Sequence, residues 1–179
     1  MNKVARNRKL GRTTAQRKAI LRTQVTDLLV NGKITTTLAR AKETQAIANK
    51  LIALAIKEKD NFELVDTKII RAKRDANGNK VTELVKSKNG KEYLKVVKEE
   101  VTEKRQKDMP SRLNARRMIM NNICKVKDEE GRNIDIPAKL FGELAEKYSQ
   151  AGNVGGYTRI IKAGPRKGDA AEVAILKLV

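Results

Sequence analysis

The chain has 179 residues, 40 of them Lys or Arg against 21 Asp or Glu, for a formal charge of +19. Forty per cent are hydrophobic, enough for a modest core and against wholesale disorder, while self-repulsion of this size points to a polyanionic partner. There is no His, which excludes histidine triads, proton shuttles and His metal ligands, and the single Cys124 can form neither an internal disulfide nor a multi-cysteine zinc site.

The longest clean apolar run, Leu51 to Ile56, is far short of a membrane span. No apolar stretch of signal-peptide type follows the basic N-terminus, so a cytoplasmic protein is expected. Residues 1–12 read as a basic arm carrying Arg6, Arg8, Lys9 and Arg12, extended until a partner orders it. Thr13 and Gln16 have capping-box spacing for a helix to about Val30, stopped by Asn31-Gly32. Its apolar stripe of Leu21, Val25, Leu28 and Leu29 lies in the later turns, whereas the early turns carry Arg17, Lys18 and Arg22. Val4 to Gln24 holds seven basic residues and no acid. A helix start is already the positive end of the macrodipole, so cations there are disfavoured unless an outside anion answers them.

The β-rich stretch Lys33 to Thr37 predicts a short strand. A second helix follows from Leu38 to about Glu58, capped by Thr36 or Thr37, with apolar residues at helical spacing and with Arg40 and Lys42 in its first turn. From Asn61 to about Glu103 the pattern changes to strands, and Asn77-Gly78 and Asn89-Gly90 are tight-turn dipeptides. Three antiparallel strands in a meander are expected, forming an inserted extension over 58–107. Residues 58–108 hold 14 basic and 11 acidic residues, a net +3, so the other 128 residues carry +16.

A helix resumes over about Pro110 to Ile123, with Asp108 or Ser111 near its start and Arg112, Arg116 and Arg117 beside Leu113, Met120 and Ile123. A polar loop around Gly131 leads to a helix opened by Pro137 and running to about Gln150 on Leu140, Phe141, Leu144 and Tyr148. Two closing strands are joined by the basic loop "GPRKGD". The class is therefore α/β of the α+β kind: helix, strand, three helices and two strands, interrupted by the β insertion.

Two segments carry the chemistry. The arm and first helix combine helix N-terminal amides with Arg and Lys, a ready phosphate site. The stretch Gly155 to Asp169 joins glycines to Arg159, Lys162, Arg166 and Lys167, without the Gly-Lys-Ser/Thr ending of a P-loop. Of five aromatics, Phe141 and Tyr148 look like core, which leaves few stacking platforms for single strands. Folded RNA, bound by backbone and shape, fits better than duplex DNA, with Arg6, Arg112, Arg116 and Arg117 among the candidate RNA contacts. Cys124 reads as a small buried residue, and the acidic pairs lie in solvated stretches, so no catalytic residue, metal or cofactor is expected. A DNA-compacting or accessory RNA-binding protein is the competing reading.

The stretches "RKLGRTTAQRKAILR", "LLVNGKITTTLARAKE", "PAKLFGELAEKY" and "GGYTRIIKAGPRKGDAAEVAILKLV" closely resemble the bacterial ribosomal large-subunit protein seventeen family, in matching order and spacing over about 1–57 and 108–179. The resemblance implies a two-layer core with one sheet packed on helices, and a structural role in the large subunit. It implies binding to 23S ribosomal RNA near the exit tunnel, with neighbouring ribosomal proteins as further partners and neither a membrane nor a small-molecule substrate. It implies RNA contact for Arg8, Lys9, Arg12, Arg17, Lys18 and Arg22, for Thr36, Thr37, Arg40 and Lys42, and for Arg159, Lys162, Arg166 and Lys167. The start "MNKVARNRKLGR" departs from the family's usual opening, and 58–107 has no counterpart in its short members.

Overall fold

Thr13, in extended conformation (φ −65°, ψ 161°), opens α1 (Thr14–Asn31) in a computed structural model that describes residues 8–152 and 154–179. Arg6 and the rest of the expected arm before Arg8 lie outside the described residues. The Gln16 N–H faces Thr13 Oγ1 at 3.5 Å, and the Arg17 N–H bonds the Thr13 carbonyl at 2.9 Å. Gly32 ends the helix at φ 74°, a left-handed position that a side chain would strain, and its N–H closes on the Leu28 carbonyl at 2.9 Å. That reversal launches β1 (Lys33–Thr37), and α2 (Leu38–Glu58) begins at the next residue.

The next helix, α3 (Pro110–Asn122), differs from expectation at its start: Met109 is the cap residue and neither Asp108 nor Ser111 supplies a side-chain cap. Pro110 loses no helical hydrogen bond there because the first N–H groups have no partner within the helix. Ser111 is engaged elsewhere. Its Oγ donates to Glu58 Oε2 at 2.8 Å, Asn61 Nδ2 donates to the same oxygen at 2.9 Å, and the Met109 N–H reaches the Asn61 carbonyl at 3.2 Å. This clasp ties the end of α2 to the beginning of α3. The last helix, α4 (136–150), is capped by Asp135, whose Oδ1 accepts from the Ala138 N–H at 3.0 Å, and contains a π turn at Leu140–Leu144.

Strands β6 (Thr158–Pro165) and β7 (Glu172–Leu178) complete an antiparallel sheet in the order β1-β7-β6. Alternation along β7 buries Ala174 and Leu176 against Leu28, Ala41 and Ala48, which packs the sheet on α1 and α2. A larger cluster joins Val25 and Leu29 of α1, Leu51, Ile52 and Ala55 of α2, Ala115 and Ile119 of α3, and Leu140, Phe141, Leu144 and Tyr148 of α4. α1 and α2 each contribute to both clusters, so together they are the common support of sheet and helices. Each fully buried Leu or Ile here contributes about 1.5–3 kcal/mol of transfer free energy. Cys124 is half-buried rather than buried: it stands beyond the end of α3, where its N–H bonds Thr26 Oγ1 at 2.9 Å.

Residues 62–108 form a second compact unit, beginning at 62 rather than 58 because α2 runs through Glu58. It holds four strands, not the expected three-stranded meander. β2 (Phe62–Ala72) pairs along its whole length with β5 (Lys98–Asp108), and β3 (Thr82–Lys86) pairs only with β4 (Glu92–Val96). A third small hairpin is closed by the Arg74–Lys80 bridge. The three meet in a ring of backbone bonds: Lys73 N–H to Val97 carbonyl (2.9 Å), Val97 N–H to Val81 carbonyl (3.0 Å), Val81 N–H to Lys73 carbonyl (2.9 Å). "EYLKVVKEEV", which alternates like one strand, is thus broken at Val97, whose two polar groups go to different hairpins. None of the residues in this unit is buried.

Candidate nucleic-acid interface

The first turns of α1, α2 and α3 contain no acidic residue. The starts of α1 and α2 present unbonded N–H groups and a positive dipole end alongside basic side chains. On α1, Lys18 and Arg22 are exposed and Arg17 is half-buried. Lys18 and Arg22 border a small hollow of about 170 Å³ with Leu21, Ile47, Asn121 and Asn122. Arg22 Nη2 donates to Asn121 Oδ1 at 2.9 Å, which positions the guanidinium without neutralising it.

A second cleft, of about 410 Å³, collects Arg8, Thr37 and Lys42 with Ala171 and Glu172, so the arm, the start of α2 and the start of β7 meet there. Arg8 Nε stands 3.9 Å from Glu43 Oε1, the edge of ion-pair range. Lys9 and Arg12 are exposed and Arg40 is half-buried. Thr36 has a structural job: its Oγ1 accepts from Gln24 Nε2 at 2.9 Å, and Gln24 Oε1 accepts from Thr44 at 2.9 Å, joining α1, β1 and α2.

Lys162 on β6 is exposed, as are Arg166 and Lys167 in the β6–β7 loop. Arg166 grips Asp169 through two bonds (Nε–Oδ1 2.8 Å, Nη2–Oδ2 2.5 Å). These bonds, with the opposite charge, hold the Asp169 carboxyl well below the usual carboxylate range and raise the Arg166 guanidinium further. Arg166 is thereby pre-oriented, and Lys167 beside it has no ion-pair partner among the described residues.

Arg112 departs from the sequence expectation. It is only 5% exposed and its Cζ lies 4.8 Å from the centre of the Phe141 ring, so it belongs to the core and not to a nucleic-acid surface. Arg116 is half-buried over the same ring at 5.3 Å, and Arg117 alone of the three is fully outward.

Sequence reasoning missed Lys33 and Lys177. Antiparallel register sets Lys33 opposite Lys177 and Lys177 opposite Arg159, on the sheet face away from Leu176. Three cations therefore stand in one row across strands about 4.8 Å apart, a like-charge arrangement that destabilises a sheet by itself. None of the three has an ion-pair partner among the described residues. Alternation of Lys33 with Ile34 and of Lys177 with Leu176 was visible in the chain, but only strand pairing reveals the row.

Among the described residues no group of three or more His, Cys, Asp or Glu could hold a metal ion, and no helix is long and apolar enough to cross a membrane. The profile of ribosomal protein L17 matches residues 20–179. The large ribosomal subunit protein bL17 of Acetivibrio thermocellus is 55% identical over 172 residues, covering 96% of this chain and 98% of that protein. That of Lachnospira eligens is 50% identical over 185 residues, covering 98% and 100%, and that of Staphylococcus epidermidis is 36% identical over 172 residues, covering 96% and 98%. The chain belongs to the ribosomal protein L17 family, a family of ribosomal structural proteins and not of enzymes.

Proposed function

We propose that this protein is a structural component of the large ribosomal subunit in the cytoplasm, binding and stabilising folded 23S ribosomal RNA on the exit-tunnel side of the particle. The observation that carries the reading is the convergence of cations from distant parts of the chain: Arg8 with Lys42, Lys18 with Arg22, and the row Lys33, Lys177 and Arg159. Each of these groups lies on an exposed or half-buried surface and awaits polyanionic charge. Lys9, Arg12, Arg17, Thr37, Arg40, Arg117, Lys162, Arg166 and Lys167 extend the surface. Thr36 supports it from below, and Arg116 borders it.

RNA fits this arrangement by its backbone and shape. The cations sit on helix starts and a sheet face, where they meet phosphates rather than base edges. Neighbouring large-subunit proteins are the other expected partners. The test is sedimentation of a lysate through a magnesium-containing sucrose gradient, followed by a high-salt wash. Stoichiometric travel with the large subunit that survives the wash is expected. Loss on washing, or absence from ribosomal fractions, would put a DNA-binding or accessory role first.

A further inference from the structure

The second unit has its own charge pattern. Its stem, β2 and β5, holds six basic and six acidic residues. Ion pairs tie several of these together: Glu63 with Lys107 at 3.3 Å, and Glu103 with Arg71 at 2.5 Å and Arg105 at 3.8 Å. Residues 73–97, beyond the stem, hold seven basic and three acidic residues, a net +4. Leu84 to Lys91 contains Lys86, Lys88 and Lys91 and no acid. The excess positive charge of this unit is therefore confined to its two smaller hairpins.

The β3–β4 hairpin has two different faces. Leu84 and Leu94 stand directly opposite each other on one, next to the paired Lys86 and Glu92. On the other face, alternation aligns Lys91, Tyr93 and Lys95, with Val85 across from Tyr93. Glu83 is across from Lys95, and the two form no ion pair. Tyr93 is 50% exposed, while Phe141, Tyr148 and Tyr157 are buried and Phe62 is half-buried. The exposed aromatic ring of the described residues thus lies between two cations, each about 7 Å along the strand from it.

We infer that this face of the β3–β4 hairpin is a binding site for unpaired RNA, with a base stacked on Tyr93 and the flanking phosphates held by Lys91 and Lys95. A phenol ring exposed on a ribbon offers a π-face that any base can use, and lysines on both sides place charge where the backbone enters and leaves the stack. The cation-rich tip favours RNA over a protein neighbour. This site deepens the RNA-binding reading above and rests on it, but it takes a different form of RNA from the folded helices assigned to the core.

The test uses the full chain with a 12-nucleotide oligouridine carrying one 4-thiouridine, and separately with folded large-subunit ribosomal RNA. Irradiation is expected to cross-link the oligomer within residues 92–95. Tyr93→Ala should weaken oligomer binding roughly 5- to 150-fold with little change in salt slope, and Tyr93→Phe should keep wild-type affinity. Replacing Lys91 and Lys95 together by Ala should lower the salt slope by about 1.4, the value for two phosphates on a single strand. Wild-type binding to folded RNA, with cross-links only outside 92–95 or no effect of Tyr93→Ala, would overturn the site and leave the core reading standing. Binding of neither RNA would overturn both. A Tyr93→Ala protein that binds the oligomer normally but fails to join the subunit would assign the face to a protein neighbour and refute the inference.

Discussion

Replacing Lys177 by Gln removes the central charge of the Lys33–Lys177–Arg159 row and is expected to move stability and RNA affinity in opposite directions. Lys177 faces a like charge on either side. A cross-strand pair contributes about 0.2–1 kcal/mol, and exposed charges lie at the low end, so the two contacts together cost about 0.5 kcal/mol. For a chain of this size that raises the melting temperature of the free protein by about 1–2 °C. The gain should be present in roughly 20 mM salt and vanish near 1 M, where the Debye length falls to about 3 Å. In titrations with large-subunit ribosomal RNA, the same variant should lower the salt slope by about 0.9, the value of one phosphate on a duplex. Thermal melts at both salt concentrations and a binding series between them supply the readings. A variant less stable than wild type, a gain that persists in 1 M salt, or an unchanged slope would refute the reasoning.

Replacing Arg17, Lys18 and Arg22 together by Ala should lower the salt slope for the same RNA by roughly 2–3; an unchanged slope would remove the start of α1 from the interface. Arg112→Ala should destabilise the protein by about 2 kcal/mol in urea melts through lost packing and cation–π contact with Phe141, whereas Arg117→Ala should stay within about 0.5 kcal/mol and weaken RNA binding instead. Hydrogen bonds from Asn61 and Ser111 hold the Glu58 carboxyl below its ordinary value of 4.5, outweighing burial. A depressed carboxyl contributes stability that is complete above that ordinary value and is lost as pH falls through the lowered one. The stability difference between wild type and Glu58→Gln should therefore shrink on acidification from about pH 6 to pH 3, as read from urea midpoints; a difference constant over that range would exclude the clasp as its source.

Comparison of particular elements separates local from tertiary information. The run from Thr13 to Glu58 was legible nearly to the residue: a Thr cap, a Gly stop, a β-branched strand and a second amphipathic helix. Each of those signals acts within a few residues. The cations of the arm, α1 and the β6–β7 loop were legible too, since charge against the helix dipole and a run without acids need no fold to be noticed. Arg112 was misread because a guanidinium over an aromatic ring looks like any other basic residue until α4 brings Phe141 beneath it.

The sequence by itself determined the helices and the ends of α1 and α2, the net charge, the hairpin turns at Gly78 and Gly90, and the absence of histidine chemistry. Only the tertiary structure decided which strands pair, and therefore that Lys33, Lys177 and Arg159 share a row, that β2 closes on β5, and that Tyr93 stands outward between two lysines. The reason is physical. Caps, turns and amphipathic periods are set by interactions between residues a few positions apart, whereas strand register is chosen by contacts between segments up to more than a hundred residues apart, and the chain carries no local mark of that choice.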